Sequence, residues 1–187
     1  MTPPTVSLEP PKLFKTFSIQ TTLITLATIG IIGSPPFLYF DPTSTVTYLA
    51  IFFSLTLHFC ILFGAWKTDE RFLRNSEKLS KFLIFINSLQ FCTVPAIVGC
   101  LVSSGCKKWS IFFSIFNDQQ FFGLNEGSSS EEKFKSGLLA SFISAVLILF
   151  PLGFLVTEYY LIKRLRKYIA ALKEHELNEP LHLHVEE

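Results

Sequence analysis

The stretch VTYLAIFFSLTLHFCILFGAW, residues 46–66, decides the fold class. It holds no aspartate, glutamate, lysine or arginine, and its one histidine is His58. Built as a helix it is about 30 Å long, the thickness of a bilayer's hydrocarbon core. Lipid offers the backbone no hydrogen bonds, so a run that crosses must be helical. Residues 17–40 and 82–102 share this character, as do residues 137–158 up to the Glu158 that ends them. Pro95 and Pro151 fall inside the third and fourth runs. Neighbouring helices satisfy the carbonyls a proline frees, so kinks rather than breaks are expected. The chain reads as an all-α membrane protein, a four-helix transmembrane bundle.

Composition agrees. Charged residues are only 17% of the 187 residues, phenylalanine contributes 21, and the charges cluster between the apolar runs. That segregation is what a lipid solvent imposes. A net charge of +1, with no strongly basic surface and no nucleic-acid motif, points away from nucleic acid as a partner. A cleaved signal peptide is the rival account of the first run, since Lys12 and Lys15 precede it and Gly33-Ser34 offers small residues. The length of the run, together with Glu9 and three prolines ahead of Pro11, favours a retained anchor.

Lysine and arginine set the orientation. Residues 1–16 carry Lys12 and Lys15, and the connection after residue 66 carries Lys67, Arg71, Arg74, Lys78 and Lys81. The tail, residues 163–187, carries Lys163, Arg164, Arg166, Lys167 and Lys173. The long loop 103–136 has Lys107, Lys108, Lys133 and Lys135, and the short first loop has none. Cytosolic N and C termini therefore place twelve basic residues inside against four outside. Tyr159 and Tyr160 suit an interfacial aromatic belt.

The long loop opens with Trp109, Phe112, Phe113 and Phe116 at helical spacing. This is either an amphipathic helix on the outer leaflet or a segment packed on the bundle. Ser129 and Glu132 have capping-box spacing, which predicts a helix start well ahead of the membrane. In the tail, Leu161, Leu165, Tyr168 and Leu172 mark a stripe that continues the fourth helix, and the end beyond Glu174 is acidic and expected to be disordered. Lys163, Arg164, Arg166 and Lys167 would meet anionic lipids of the inner leaflet, or simply enforce topology.

Residues suited to chemistry are few. Counting eight residues from the inner ends of their spans puts His58, Gln90 and Thr25 at one depth, with Asn87 a turn from Gln90. They are expected to form an intramembrane polar layer, either interhelical glue or a proton or ligand path. By the same count no carboxylate accompanies His58, and Glu158 sits at the inner interface beside Lys163 and Arg164. Cys100 and Cys106 would allow a disulfide in an oxidising lumen, although spacing does not decide the pairing. His182 and His184 lack a third ligand, so no metal and no cofactor is expected. There is no glycosylation sequon, nucleotide loop or nucleophile elbow. Gly137, Ser141 and Ala145, and Ala27, Gly30 and Gly33, form small-residue seams for packing within the protein or between copies.

The segment Leu62-Phe63-Gly64-Ala65-Trp66-Lys67, followed by Arg71-Phe72-Leu73, resembles the span-two exit of some MARVEL-type and lysosome-associated tetraspan proteins. The layout of spans and loops over residues 16–168 is similar to theirs. The chain lacks the Cys-Cys-Gly of tetraspanins, the loop pattern of claudins and the proline-tyrosine tail motifs of the lysosomal relatives. The resemblance implies a non-enzymatic role in organising membrane, trafficking or partner proteins, in the endomembrane system or plasma membrane. The expected partners are the bilayer, anionic lipids, and membrane proteins or further copies of the chain. The alternative is a small transporter, channel or accessory subunit built around His58.

Overall fold

The computed structural model describes residues 12–13, 17–36, 45–104 and 128–178. A two-residue strand, β1 (Lys12–Leu13), pairs antiparallel with β2 (Phe17–Ser18) and leads into the first helix. Among the described residues four helices follow: α1 (Ile19–Gly33), α2 (Thr45–Trp66), α3 (Glu70–Ser104) and α4 (Ser130–Asn178). The fold is all-helical in its membrane part, and α2, α3 and α4 are long and apolar enough to cross a bilayer.

Helix α1 is shorter than the span predicted for 17–40. Its 15 residues rise only about 22 Å. Pro35 and Pro36 follow its cap Ser34, and consecutive prolines supply no backbone donors to continue a helix. Pro95 and Pro151, by contrast, are each carried within a continuous helix. The capping box at Ser129 forms in both directions. Ser129 N donates to Glu132 Oε2 at 2.7 Å, and Glu132 N donates to Ser129 Oγ at 3.3 Å. Helix α4 then runs through Asn178, so the tail stays helical past Glu174.

The α2–α3 connection governs the register. Residues 67–81 read as a loop in the sequence, but only Lys67, Thr68 and Asp69 form the turn. Thr68 takes a left-handed conformation (φ 50°), and Asp69 N donates back to Gly64 O at 3.1 Å. This is the long bond of a Schellman cap, which closes α2. Asp69 then caps α3 through Oδ1, which accepts from Arg71 N at 2.8 Å. Helix α3 therefore doubles back at once. The rings of Phe63 and Phe72 lie 6.4 Å apart and those of Phe53 and Phe82 6.0 Å apart. A side chain at Gly64 would press on the Leu73 backbone. The first three turns of α3 thus lie beside the second half of α2.

The other pairs alternate in direction. Gln20 Nε2 donates to Ala65 O (2.8 Å) and Ser34 meets Ser54 (3.0 Å), tying α1 to α2. Arg166 pairs with Glu77, and Ser141 Oγ donates to Pro95 O (2.6 Å), tying α4 to α3. The start of α1 and the end of α4 consequently share one end of the bundle, the end that carries Arg71, Arg74, Lys78, Lys163, Arg164 and Lys167. At this charged end all four helices pack around Leu23, Leu57, Ile61, Leu73, Ile162 and Leu165. Toward the far end the packing narrows to α3 on α4, around Val98 and Ala140.

The far-end contact uses one of the small-residue seams. A Cβ at Gly137 would collide with the Ser103 hydroxyl and come 2.6 Å from the carbonyl of Gly99. Gly137 and Ser141 are therefore spent inside the molecule. In the other seam Ala27 is buried and Gly30 abuts α2, whereas Gly33 faces open space. Gly137→Ala should lower stability by about 1–3 kcal/mol through overpacking. Gly33→Ala should leave it unchanged. Thermal unfolding of both variants in one detergent decides the point, and equal midpoints would contradict this register.

Candidate functional site

His58 comes from the middle of α2 and points toward α4. The residue is 5% exposed, and a Cβ at Gly30 would collide with its ring, so only a glycine on α1 leaves it room. Its Nδ1 lies 2.7 Å from the carbonyl of Ser54, one helical turn back. A carbonyl only accepts, so Nδ1 carries a proton and donates it. The hydroxyls behind it follow the same logic. Ser34 Oγ donates to Gly30 O (2.7 Å), so it accepts from Ser54 Oγ at 3.0 Å. Ser54 Oγ is then left with a lone pair toward Nδ1, 3.4 Å away.

The other ring nitrogen faces a carboxylate. His58 Nε2 stands 3.4 Å from Glu158 Oε1, and Glu158 is fully buried. This is an ion-pair contact rather than a close hydrogen bond, and neither carboxylate oxygen of Glu158 has a hydrogen-bond partner among the described residues. Phe154, one turn earlier on α4, closes the apolar side, its ring centroid 6.4 Å from that of His58. With Nδ1 committed to donation, Nε2 is the nitrogen left to face the carboxyl group.

The pair lies at the border of the charged end. Tyr159, next to Glu158, takes the Lys81 ammonium over its ring at 5.6 Å. Lys81 also binds Glu77 at 3.1 Å, and Glu77 in turn holds Arg166. The hydrogen bond to Glu77, then its charge and that of Tyr159, raise the Lys81 pKa above the ordinary lysine value.

This geometry differs from the expected layer of Thr25, His58, Asn87 and Gln90. Thr25 is exposed and donates to Thr21 O (3.0 Å), five residues from the position where α1 meets His58. Asn87 donates to Leu83 O (2.9 Å), and Gln90 is exposed on the far side of it. The depth count fails because α3 begins at Glu70, which brings His58 level with the Lys81 region rather than with Gln90. Glu158 correspondingly faces His58, while Lys163 and Arg164 are exposed. Arg166, grouped in the sequence with the lipid-facing bases, is engaged by Glu77. The signal for Glu158 was present: Leu155, Glu158, Ile162, Leu165 and Ile169 recur at three- and four-residue steps, and all are buried. Cys100 is an exposed free thiol on α3, while Cys106, the aromatic segment at Trp109 and the pair His182 and His184 lie outside the described residues. Among the described residues no group of three potential metal ligands comes together.

A family model described as Glam1, glia associated membrane protein glam-1, matches residues 18–165. The chain belongs to the Glam1 family. A glia associated membrane protein glam-1 of Caenorhabditis elegans is 25% identical over 167 residues, which cover 89% of this chain and 91% of the nematode protein. No solved structure matches the chain. The Glam1 match takes in all four helices up to Leu165, and with them His58, Glu158, Ser54, Ser34 and Gly30. The likeness to MARVEL-type and lysosomal tetraspan proteins rests on layout and the short segment at residues 62–73, and these matches add nothing to it.

Removing one member of a buried pair strands the other, at roughly 3 kcal/mol; replacing both with apolar groups costs far less. His58→Leu and Glu158→Leu should each destabilise this Glam1 protein by about that amount. The double variant should fall well short of the sum. A double-mutant cycle on thermal or denaturant unfolding in detergent measures the coupling, and strict additivity would show that the two side chains do not interact.

Proposed function

We propose that this Glam1 protein is a non-enzymatic, multi-pass membrane protein that organises a membrane or the proteins within it, with both termini in the cytosol. The observation that carries this reading is where its polar side chains go. Thr22, Thr25, Thr28, Thr56, Asn87, Thr93 and Thr157 each donate to the backbone carbonyl four residues earlier. Hydroxyls and amides that would otherwise line a reaction site are spent inside their own helices. The basic residues collected at one end fit a cytosolic side for that end. The nematode relative's description as glia associated makes glial plasma membrane and endomembranes the compartments to test.

The expected result of proximity labelling and co-purification from native cells is a mixed set of membrane proteins from one compartment. A single stoichiometric complex would instead mark an accessory subunit.

One observation favours a second reading, a small carrier or channel: the buried His58–Glu158 pair, with its unsatisfied nitrogen and oxygens. Intramembrane ionisable groups commonly serve transport. The two readings separate in reconstituted vesicles under a pH or ion gradient. An organiser gives no flux above protein-free vesicles, and His58→Ala changes nothing. A carrier gives flux that His58→Ala abolishes.

A further inference from the structure

The charged end segregates its charges by sign. From Asp69 to Lys81, and from Glu158 to Lys167 on α4, the acids are turned inward or engaged: Glu158 meets His58, Glu77 is shared by Arg166 and Lys81, and Asp69 caps α3. Glu70 sits half-buried in the first turn of α3, where the helix dipole favours it. The bases are left outside. Arg71, Arg74 and Lys78 on α3, and Lys163, Arg164 and Lys167 on α4, are all exposed, and none has an acidic partner among the described residues.

The two sets stand at the same level, because Glu77–Arg166 and Lys81–Tyr159 fix the register of α3 on α4. Spacings of three and four residues put each set on one side of its helix. Exposed aromatic rings border them: Trp66 at the end of α2, Phe72 on α3 and Tyr160 on α4. Aromatic side chains of this kind mark the headgroup level of a membrane protein. Beyond them α3 and α4 become apolar and lipid-exposed, with Phe85, Leu89, Phe150 and Val156 outside.

We propose that these six bases form a belt that selects anionic phospholipid headgroups around the charged end of the bundle. The sign of the belt, its freedom from internal acids and its aromatic border all match a negatively charged lipid annulus. The surface belongs to two helices, not to the tail alone: the α3 bases arrive there because the turn at 67–69 folds them back beside α2.

Trp66 is 67% exposed beside the belt and reports on the lipids there. The full-length protein, carrying Trp109→Phe so that one indole remains, is reconstituted into vesicles of mixed phosphatidylcholine and phosphatidylserine. Either lipid is brominated in turn, and quenching of Trp66 gives their relative occupancy. Phosphatidylserine should be favoured several-fold over its bulk fraction at low salt. The preference should shrink toward unity at 1 M salt, where the screening length falls to about 3 Å. Neutralising Arg71, Arg74 and Lys78 to glutamine should remove about half of the preference, as should neutralising Lys163, Arg164 and Lys167. Equal quenching by the two lipids at low salt overturns the proposal, and that arm needs no charge variant. A preference that the α3 variant leaves untouched overturns the two-helix belt. In vesicles made only of brominated phosphatidylcholine, quenching unchanged across the variants is the control for intact folding and insertion.

Discussion

Lys67, Thr68 and Asp69 are all the chain that separates α2 from α3, and a three-residue connection leaves the second helix no choice of position. It must begin beside the end of the first and run back along it. Gly64 makes the approach close enough, because any side chain there would press on Leu73. From this one constraint the levels of the bundle follow. Phe53 meets Phe82, the charged turns of α3 stand beside apolar turns of α2, and His58 is drawn to the border where Lys81 and Tyr159 meet. Thr68 holds the turn with a positive φ that a β-branched residue seldom adopts, so the surrounding structure outweighs a local preference there.

The pairing of His58 with Glu158 gains its character from that placement. In mid-membrane, a carboxylate with no hydrogen bond would face the full cost of desolvation. At the border of the charged end it is buried by protein, within a bundle that also holds Glu77, Lys81 and Arg166. The donor chain from Ser54 to Ser34 to Gly30 fixes the imidazole from behind, so the ring presents one nitrogen to α4. The pair joins the α1–α2 hairpin to α4 through polar contact, where elsewhere the join is made by apolar packing.

Much of this fold was legible in the sequence, because lipid makes hydropathy a strong signal. Runs free of charge located all four helices, and Ser129 with Glu132 marked the start of α4 to the residue. What escaped was register. Counting depth from the ends of apolar runs assumes that charged residues begin outside the bundle, yet Glu70–Lys81 is helical and packed. That assumption put His58 two turns too deep and left Glu158 without its partner. Register depends on tertiary contacts such as Gly30 against His58 and Gly64 against Leu73, and no single-helix pattern carries them. The stripe from Leu155 through Glu158 to Ile169 did carry the burial of Glu158. Polarity and nearby lysines masked it, since an acid beside bases at a membrane boundary ordinarily pairs on the surface.

The surplus of bases at one end is usually treated as a count that sets topology. Here it is also a product of packing. Acidic residues are present in the same helices, and by composition the charged end is less lopsided than its surface. The fold removes Glu77 and Glu158 from view, one into a network with Lys81 and Arg166 and the other against His58. With Glu158 turned to a histidine and Glu77 spent on Lys81 and Arg166, neither acid is left to neutralise the exposed bases. The polar contacts that hold α2, α3 and α4 in register therefore also create the positive surface that faces the headgroups, so assembly of the bundle and the charge it shows the membrane are set by the same residues.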